Sequence, residues 1–232
     1  MGETLELLGG FGLQLLQGSV LTLKLAFASL AFGLPLGLAM AMGKISRSPG
    51  VRLPCAVITS TLRALPELLV ILIIYFGIQH ALNALSATPY DIDPFAAGVA
   101  ALGLIFSAYA SEIFRGAYLA VPRGQREAAI SLGLSPFKLF WLVQLPQMWR
   151  FAVPSLGNLW LVMLKDTSLV AVIGLQELMR KAQAATATTK QAFLFYSAAA
   201  LLYIAMSLAS SLIISYLNRR SQARWIIGRA AA

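Results

Sequence analysis

The chain has 232 residues, 59% of them hydrophobic and only 12% charged, with a mean hydropathy of +0.77, a balance on the membrane side of an ordinary soluble domain. Its formal net charge of +9 comes without a basic stripe interleaved with aromatics, so no nucleic acid partner is expected; the Lys and Arg residues fall between apolar runs, where they orient a chain in a bilayer. One cysteine, Cys55, and one histidine, His80, exclude an intrachain disulfide and give a zinc site little to work with, so no metal site is expected and both read as packing or loop residues.

Before the first apolar run stand Glu3 and Glu6, where a signal peptide would carry positive charge, and no A-x-A-like site follows promptly, so the first span is expected to be retained. Leu5, Leu7, Leu8, Phe11, Leu15 and Leu16 recur loosely at helical spacing and suggest an interfacial or peripheral N-terminal helix. Five runs are long and apolar enough to cross a bilayer, near residues 17–43, 56–79, 94–119, 151–175 and 193–217. They predict an all-α membrane protein with a single transmembrane domain over residues 1–232.

In the first span Gly33 and Gly37 form a G-x-x-x-G that suits close helix packing, with Pro35 placed to kink the helix. "GLAMAMGK" (37–44) imitates a phosphate loop, but it has one residue too many between its glycines and Ile45 stands where Ser or Thr should be. The chain itself is therefore not expected to bind ATP.

Ionisable side chains inside spans need a partner, water or a function. In "RALPELL" of the second span, Arg63 and Glu67 are four residues apart and able to share a face, while Pro66 between them removes a backbone donor. Glu67 reads either as a plain ion pair with Arg63 or as a carboxylate facing a cavity that neutralises a cationic solute. In "SEIFRG" of the third span, Glu112 and Arg115 read as a self-satisfied pair at the helix end, structural charges rather than pathway. In "LKDTSL" of the fourth, Lys165 and Asp166 would splay roughly 100° apart on a regular helix, so a break there is expected. They and the neighbouring Thr167 and Ser168 belong either to a subunit-interface network or to a pathway lining.

Lys44, Arg47 and Arg52 follow span one, Arg123, Arg126, Lys138 and Arg150 follow span three, and Arg219, Arg220, Arg224 and Arg229 follow span five. By the positive-inside rule these segments are cytoplasmic, which puts the N-terminus outside and the C-terminus inside. The connection after span two carries Asp91 and Asp93 without Lys or Arg; the one after span four dissents, with Arg180, Lys181 and Lys190 beside Glu177.

Between spans three and four, residues 120–150 contain "REAAISLGLSPFKLFWLVQLP" (126–146), which reads as two short helices joined by a turn. This segment resembles the EAA motif of bacterial ABC importer permeases: Glu127, Ala128, Ala129, Gly133, Leu145 and Pro146 match at the expected intervals, with Val143 where isoleucine is commoner. "SEIFRGAYLAVPRGQREAA" (111–129), "RALPELL" (63–69), "LPQMWRFAVPSLGN" (145–158), "LKDTSLVAVIGLQEL" (164–178) and "GSVLTLKL" near the start extend the likeness to the polar amino-acid uptake branch. Within it the chain looks most like the permeases for histidine, arginine, lysine, ornithine and opines, on the acidic residue after the proline in "RALPELL" and on "DIDPFAAGVAALGLIFSAYASEIFRGA".

The resemblance implies a permease subunit in a bacterial inner membrane, not an enzyme. It implies a second permease, paralogue or copy, as partner, together with two ATP-binding cassette subunits that hold ATP and magnesium, and an extracytoplasmic solute-binding protein. It also implies a cytoplasmic coupling helix pair. Arg126 and Glu127 suit its exposed rim, Ala128 and Ala129 allow close approach, Gly133 permits the turn before Leu134, and Ser135 and Pro136 suit the N-cap and first turn of the second helix. Phe137, Leu139, Phe140, Trp141 and Val143 offer that helix an apolar side. Rival readings are a permease for glutamine, glutamate or another polar solute, an intramembrane enzyme, or a structural membrane subunit; no activated Ser-His pair or paired catalytic carboxylates support the enzyme.

Overall fold

The computed structural model describes the backbone of residues 2–85 and 91–230 and the side chains of residues 10–85 and 91–219. Among them the chain is helical throughout, with five helical runs long and apolar enough to cross a membrane: Gly10–Ile45, Glu67–Leu85, Pro94–Ala120, Pro136–Ile173 and Ala192–Arg219. Leu5, Leu7 and Leu8, Arg220, Arg224 and Arg229 lie outside the described side chains.

The first helix, α1 (Gly2–Ile45), is one continuous element, so the separate N-terminal helix expected from the leucine spacing does not exist as a distinct unit. It also runs on through Pro35, whose exposed ring lies away from the neighbouring helices. The second predicted span is two helices, α2 (Pro49–Ala64) and α3 (Glu67–Leu85). Leu65, forced out of the helical region by the proline ring that follows it, is extended at φ −91°, ψ 145°. The expected span at 56–79 had fused the end of α2 with α3 across this break.

The third span, α4 (Pro94–Ala120), begins where a cap and a helix-starting proline coincide: the Asp93 carboxylate accepts from the Phe95 and Ala96 amides at 3.1 and 3.2 Å, and Pro94 follows. This helix is the centre of the molecule, with Phe106 and Phe114 fully buried. It packs most extensively on α1. A side-chain carbon at Gly33 would lie 2.6 Å from the Gly103 carbonyl, and one at Gly37 would lie 2.8 Å from the Ala110 methyl. The G-x-x-x-G is therefore the contact that lets the two backbones approach.

After α4 come α5 (Arg123–Ser131) and the short α6 (Pro136–Leu139). A π-helical turn, Phe140–Gln144, joins α6 directly to α7 (Leu145–Asp166). The second helix of the expected pair is thus the first turn of span four, not a free-standing helix. The cause is Pro146, which lacks an amide hydrogen; one residue earlier the Leu145 amide reaches back to the Phe140 carbonyl, and the widened turn accommodates the proline ring without ending the helix.

The α-helix of span four stops at Asp166 and continues as a 3₁₀ helix, Thr167–Ile173, ended by Gly174 at φ 96°. Helix α8 (Leu178–Thr189) then packs on α1 and on the last helix, α9 (Ala192–Ala230). Glu177 caps α8 and is fully buried, accepting from the Met179 and Arg180 amides at 2.9 and 2.8 Å and from the hydroxyls of Tyr203 and Thr22 at 3.1 and 3.3 Å. Burial outweighs these four donors and holds its carboxyl above the ordinary carboxylate range. One side chain thus ties α1, α8 and α9 together.

Replacing Gly33 with leucine should cost about 1–3 kcal/mol or more, since the α1–α4 contact has no room for a side chain. Ala31→Leu, on the exposed face of the same helix, should leave thermal stability in detergent near wild type; equal melting temperatures for the two variants would contradict the close contact.

Candidate functional site

A cavity of about 660 Å³ opens between α2, α3, α4 and α7. Its walls include Arg63, Glu67, Tyr109, Glu112, Asn158 and Asp166, set among Leu102, Phe106, Leu159 and Met163. The break at Leu65 brings the end of α2 and the start of α3 to the same wall, so Arg63 and Glu67 both reach it. They are not paired with each other. Arg63 lies 3.5 Å from Glu112 and stands over the Tyr109 ring at 5.6 Å from its centroid, whereas Glu67 accepts from the Tyr109 hydroxyl at 3.4 Å.

Glu112 is met by two further cations. Lys44 comes from α1 at 2.9 Å and Arg115 from the next turn of α4 at 2.8 Å. The expected Glu112–Arg115 pair is therefore present but is only part of a larger cluster, and Glu112 also faces the cavity. The Lys44 side chain, 4% exposed, donates as well to Ser111 Oγ at 2.7 Å. Sequence counting had assigned Lys44 only to the orienting charges; its proximity to Glu112 depends on the α1–α4 contact and has no local signal.

Asp166 lies on the cavity wall at the last α-helical residue of α7. Lys165, its neighbour, points elsewhere, into a separate 320 Å³ pocket with Ser168, Tyr196 and Tyr203. Thr167 is fully buried, its hydroxyl donating to the Leu164 carbonyl at 2.7 Å. Of the six residues grouped from sequence as pathway candidates, the cavity brings together Arg63, Glu67 and Asp166 and leaves Lys165, Thr167 and Ser168 outside. Tyr109 and Asn158, which belong to it, had no distinguishing mark in an apolar helical pattern.

The second feature is the tip formed by α5 and α6. Gly133 adopts φ 73°, and the amides of Gly133 and Leu134 donate to the carbonyls of Ile130 and Ala129 at 2.9 and 3.1 Å. This is a Schellman closure with glycine in the left-handed position, and it requires Ala129 and Ile130 as the receiving turn. Ser135 then caps α6 by accepting from the Lys138 amide at 3.4 Å, with Pro136 first in the helix. Ala129 is buried, while Arg126, Glu127 and Ala128 are exposed. Leu139 and Phe140 pack inward, but Leu132 at 80% and Phe137 at 73% exposure, with Ile130, Trp141 and Leu142, leave an apolar face on the tip.

Residues 33–223 match the family model described as binding-protein-dependent transport system inner membrane component. The arginine ABC transporter permease protein ArtQ of Haemophilus influenzae is 43% identical over 202 residues, spanning 87% of this chain and 90% of that protein. The histidine/lysine/arginine/ornithine transport system permease protein HisQ of Escherichia coli is 37% identical over 218 residues, spanning 92% and 96%. A solved structure described as an amino acid ABC transporter with histidines superposes at a TM-score of 0.81 and 34% identity, over 92% of this chain and 96% of that one. With the likeness running nearly end to end in sequence and in structure, the protein belongs to the inner membrane components of binding-protein-dependent transport systems, as a permease subunit of an ABC transporter.

Proposed function

We propose that this chain, a permease subunit of an amino-acid ABC importer that works in a membrane with a separate ATPase, passes basic amino acids or opines through the cavity between α2, α3, α4 and α7. The observation that carries the reading is a charge balance. Among the charged side chains that line the cavity, Arg63, Glu67, Glu112 and Asp166, Glu112 is held more closely by Lys44 and Arg115 from outside the lining, so the groups left to meet a solute are two carboxylates, Glu67 and Asp166, and one guanidinium, Arg63. A basic amino acid brings the complement, two cations and one carboxylate, and each charge meets its opposite. Glutamine would leave one carboxylate of the cavity unopposed, and glutamate would add another. The relatives named for arginine and for histidine, lysine, arginine and ornithine support the same class.

The basic connections after spans one, three and five support an N-terminus outside and a C-terminus in the cytoplasm, in a bacterial inner membrane. The assembled importer pairs this chain with a second permease, paralogue or copy, and with two cassette subunits that hold ATP and magnesium; an extracytoplasmic solute-binding protein delivers the amino acid. The α5–α6 tip, with Arg126, Glu127, Ala128, Ala129, Gly133, Leu134, Ser135 and Pro136, docks on a cassette subunit, and closure of the cassettes around ATP switches the permease pair from inward-open to outward-open. The exposed apolar face of the tip supports this docking.

Glu67→Gln and Asp166→Asn should each lower arginine uptake by the reconstituted importer about 30-fold or more, since breaking a desolvated charge pair costs roughly 2–5 kcal/mol. Competition by unlabelled amino acids tests the class: inhibition by glutamine but not arginine, unchanged in Glu67→Gln, would remove the basic-substrate reading.

Gly133→Val places a β-branched residue at φ 73°, where even an unbranched side chain costs about 1–2 kcal/mol. The variant should insert and assemble, yet lose the stimulation of ATP hydrolysis by loaded binding protein. Normal transport in vesicles would show that the turn plays no part in coupling.

A further inference from the structure

Lys165, Asp166 and Thr167 are consecutive yet turn three ways, to the 320 Å³ pocket, to the charged cavity and into the core. Neighbouring residues on an α-helix stand about 100° apart. A rotation by one residue here would bring the Lys165 ammonium to where the Asp166 carboxylate now faces the cavity. With Arg63 and Glu67, the cavity would then offer two cations and one carboxylate, the wrong balance for a basic solute. The local backbone holds this setting weakly, because the α-helix ends at Asp166 and a 3₁₀ helix begins. At that junction the Thr167 amide is shared between the Lys165 and Met163 carbonyls, a poorer arrangement than a regular helical bond.

The setting is braced from α9. Tyr203 borders the pocket that Lys165 enters, donates to the Glu177 carboxylate at 3.1 Å and brings its hydroxyl beside that of Thr167. Glu177 is fully buried and fixed by the Met179 and Arg180 amides. A cap needs only those two amides, and Asp or Ser supplies one without burying so long an acid. The longer glutamate also reaches the hydroxyls of Thr22 on α1 and Tyr203 on α9. One phenol thus joins a fixed carboxylate to the residue that follows Asp166. We propose that Tyr203, braced by Glu177, is a positioning residue that holds Asp166 toward the cavity and Lys165 away from it, fixing the sign of the charge a solute meets. The solute's class rests on the cavity being the site of a basic amino acid; the positioning does not.

The test measures binding of radiolabelled arginine to the purified transporter, with its cassette subunits and without binding protein. Tyr203→Phe removes only a hydroxyl and should weaken binding about tenfold, the loss of one hydrogen bond. Tyr196→Phe, which removes the other phenol of the pocket, should leave binding unchanged. In the Asp166→Asn background Tyr203→Phe should have no further effect, because it acts through that carboxylate; losses that multiply independently overturn the proposal. A second readout is independent of the solute. The thiol introduced by Asp166→Cys should react with a small cationic methanethiosulfonate reagent about tenfold more slowly once Tyr203→Phe is added, by the same lost bond. An unchanged rate overturns the proposal. A slowed rate, with arginine binding indifferent to Asp166→Asn, supports the positioning and overturns the basic-solute reading instead. If Tyr203→Phe fails to assemble, Glu177→Asp decides in its place, since it keeps a carboxylate at the cap and shortens its reach to the phenol.

Discussion

A carboxylate at membrane depth needs an opposing charge or a watered cavity, and Glu112 is opposed from three directions, by Lys44 of α1, Arg63 of α2 and Arg115 of its own helix. The arrangement depends on backbone packing. Lys44 can reach Glu112 only because α1 lies close against α4, and it lies close because Gly33 and Gly37 present no side chain to Gly103 and Ala110. Of the cluster's members only Lys44, 4% exposed, is buried, so it is the charge that loss of Glu112 would leave without a counter-charge in the packed interior. Small residues at one helix crossing thus set the electrostatics of the cavity edge. Lys44 and Arg115 hold Glu112 at 2.9 and 2.8 Å, closer than Arg63 at 3.5 Å, and Arg63 is the one of the three cations that also lines the cavity.

The two other carboxylates of the cavity occupy opposite ends of helices. Glu67 is in the first turn of α3, where unpaired amides and the helix dipole favour a negative charge. Asp166 is the last α-helical residue of α7, where the helix tightens into the 3₁₀ segment Thr167–Ile173. The cavity therefore contains one carboxylate at a helix N-terminus that accepts from the Tyr109 hydroxyl and one that makes no ion pair among the described residues.

Much of this was legible in the sequence where the cause is local. The start of α4 follows from Asp93-Pro94, the closure at Gly133 from a glycine ahead of Ser-Pro, and the splaying of Lys165 from Asp166 from helical geometry alone. The sequence also marked Pro66 as a disruption, but an apolar stretch with one proline gives no measure of whether a helix bends or stops, and the run at 56–79 therefore spanned two helices. What could not be read was pairing over distance. Lys44 with Glu112 and Glu177 with Thr22 and Tyr203 join residues far apart in the chain, and Arg63 passes over a carboxylate four residues away for one on another helix. Thr167 looked like a pathway hydroxyl because composition does not reveal which side of a 3₁₀ turn faces the core.

The joint at Phe140–Gln144 has a mechanical consequence. Had α6 been a separate helix, a load on the α5–α6 tip would be absorbed by a loop before reaching the membrane. Instead α6, the π turn and α7 are consecutive helical segments from Pro136 to Asp166. The Gln147 side chain fastens the column to α5 by donating to Gln125 Oε1 at 3.4 Å, and donates also to the Val143 carbonyl at 3.0 Å. Displacement of the tip is therefore carried along α7, which presents Asn158 and Asp166 to the charged cavity on one face and Trp149, Val153 and Trp160 to an apolar groove against α1 and α9 on another. The π turn is the one place where this column departs from α-helical geometry, the Leu145 amide reaching the Phe140 carbonyl. A rotation of α7 about this joint would move Asp166 relative to Glu67 on α3 and so change the spacing of the two carboxylates across the cavity.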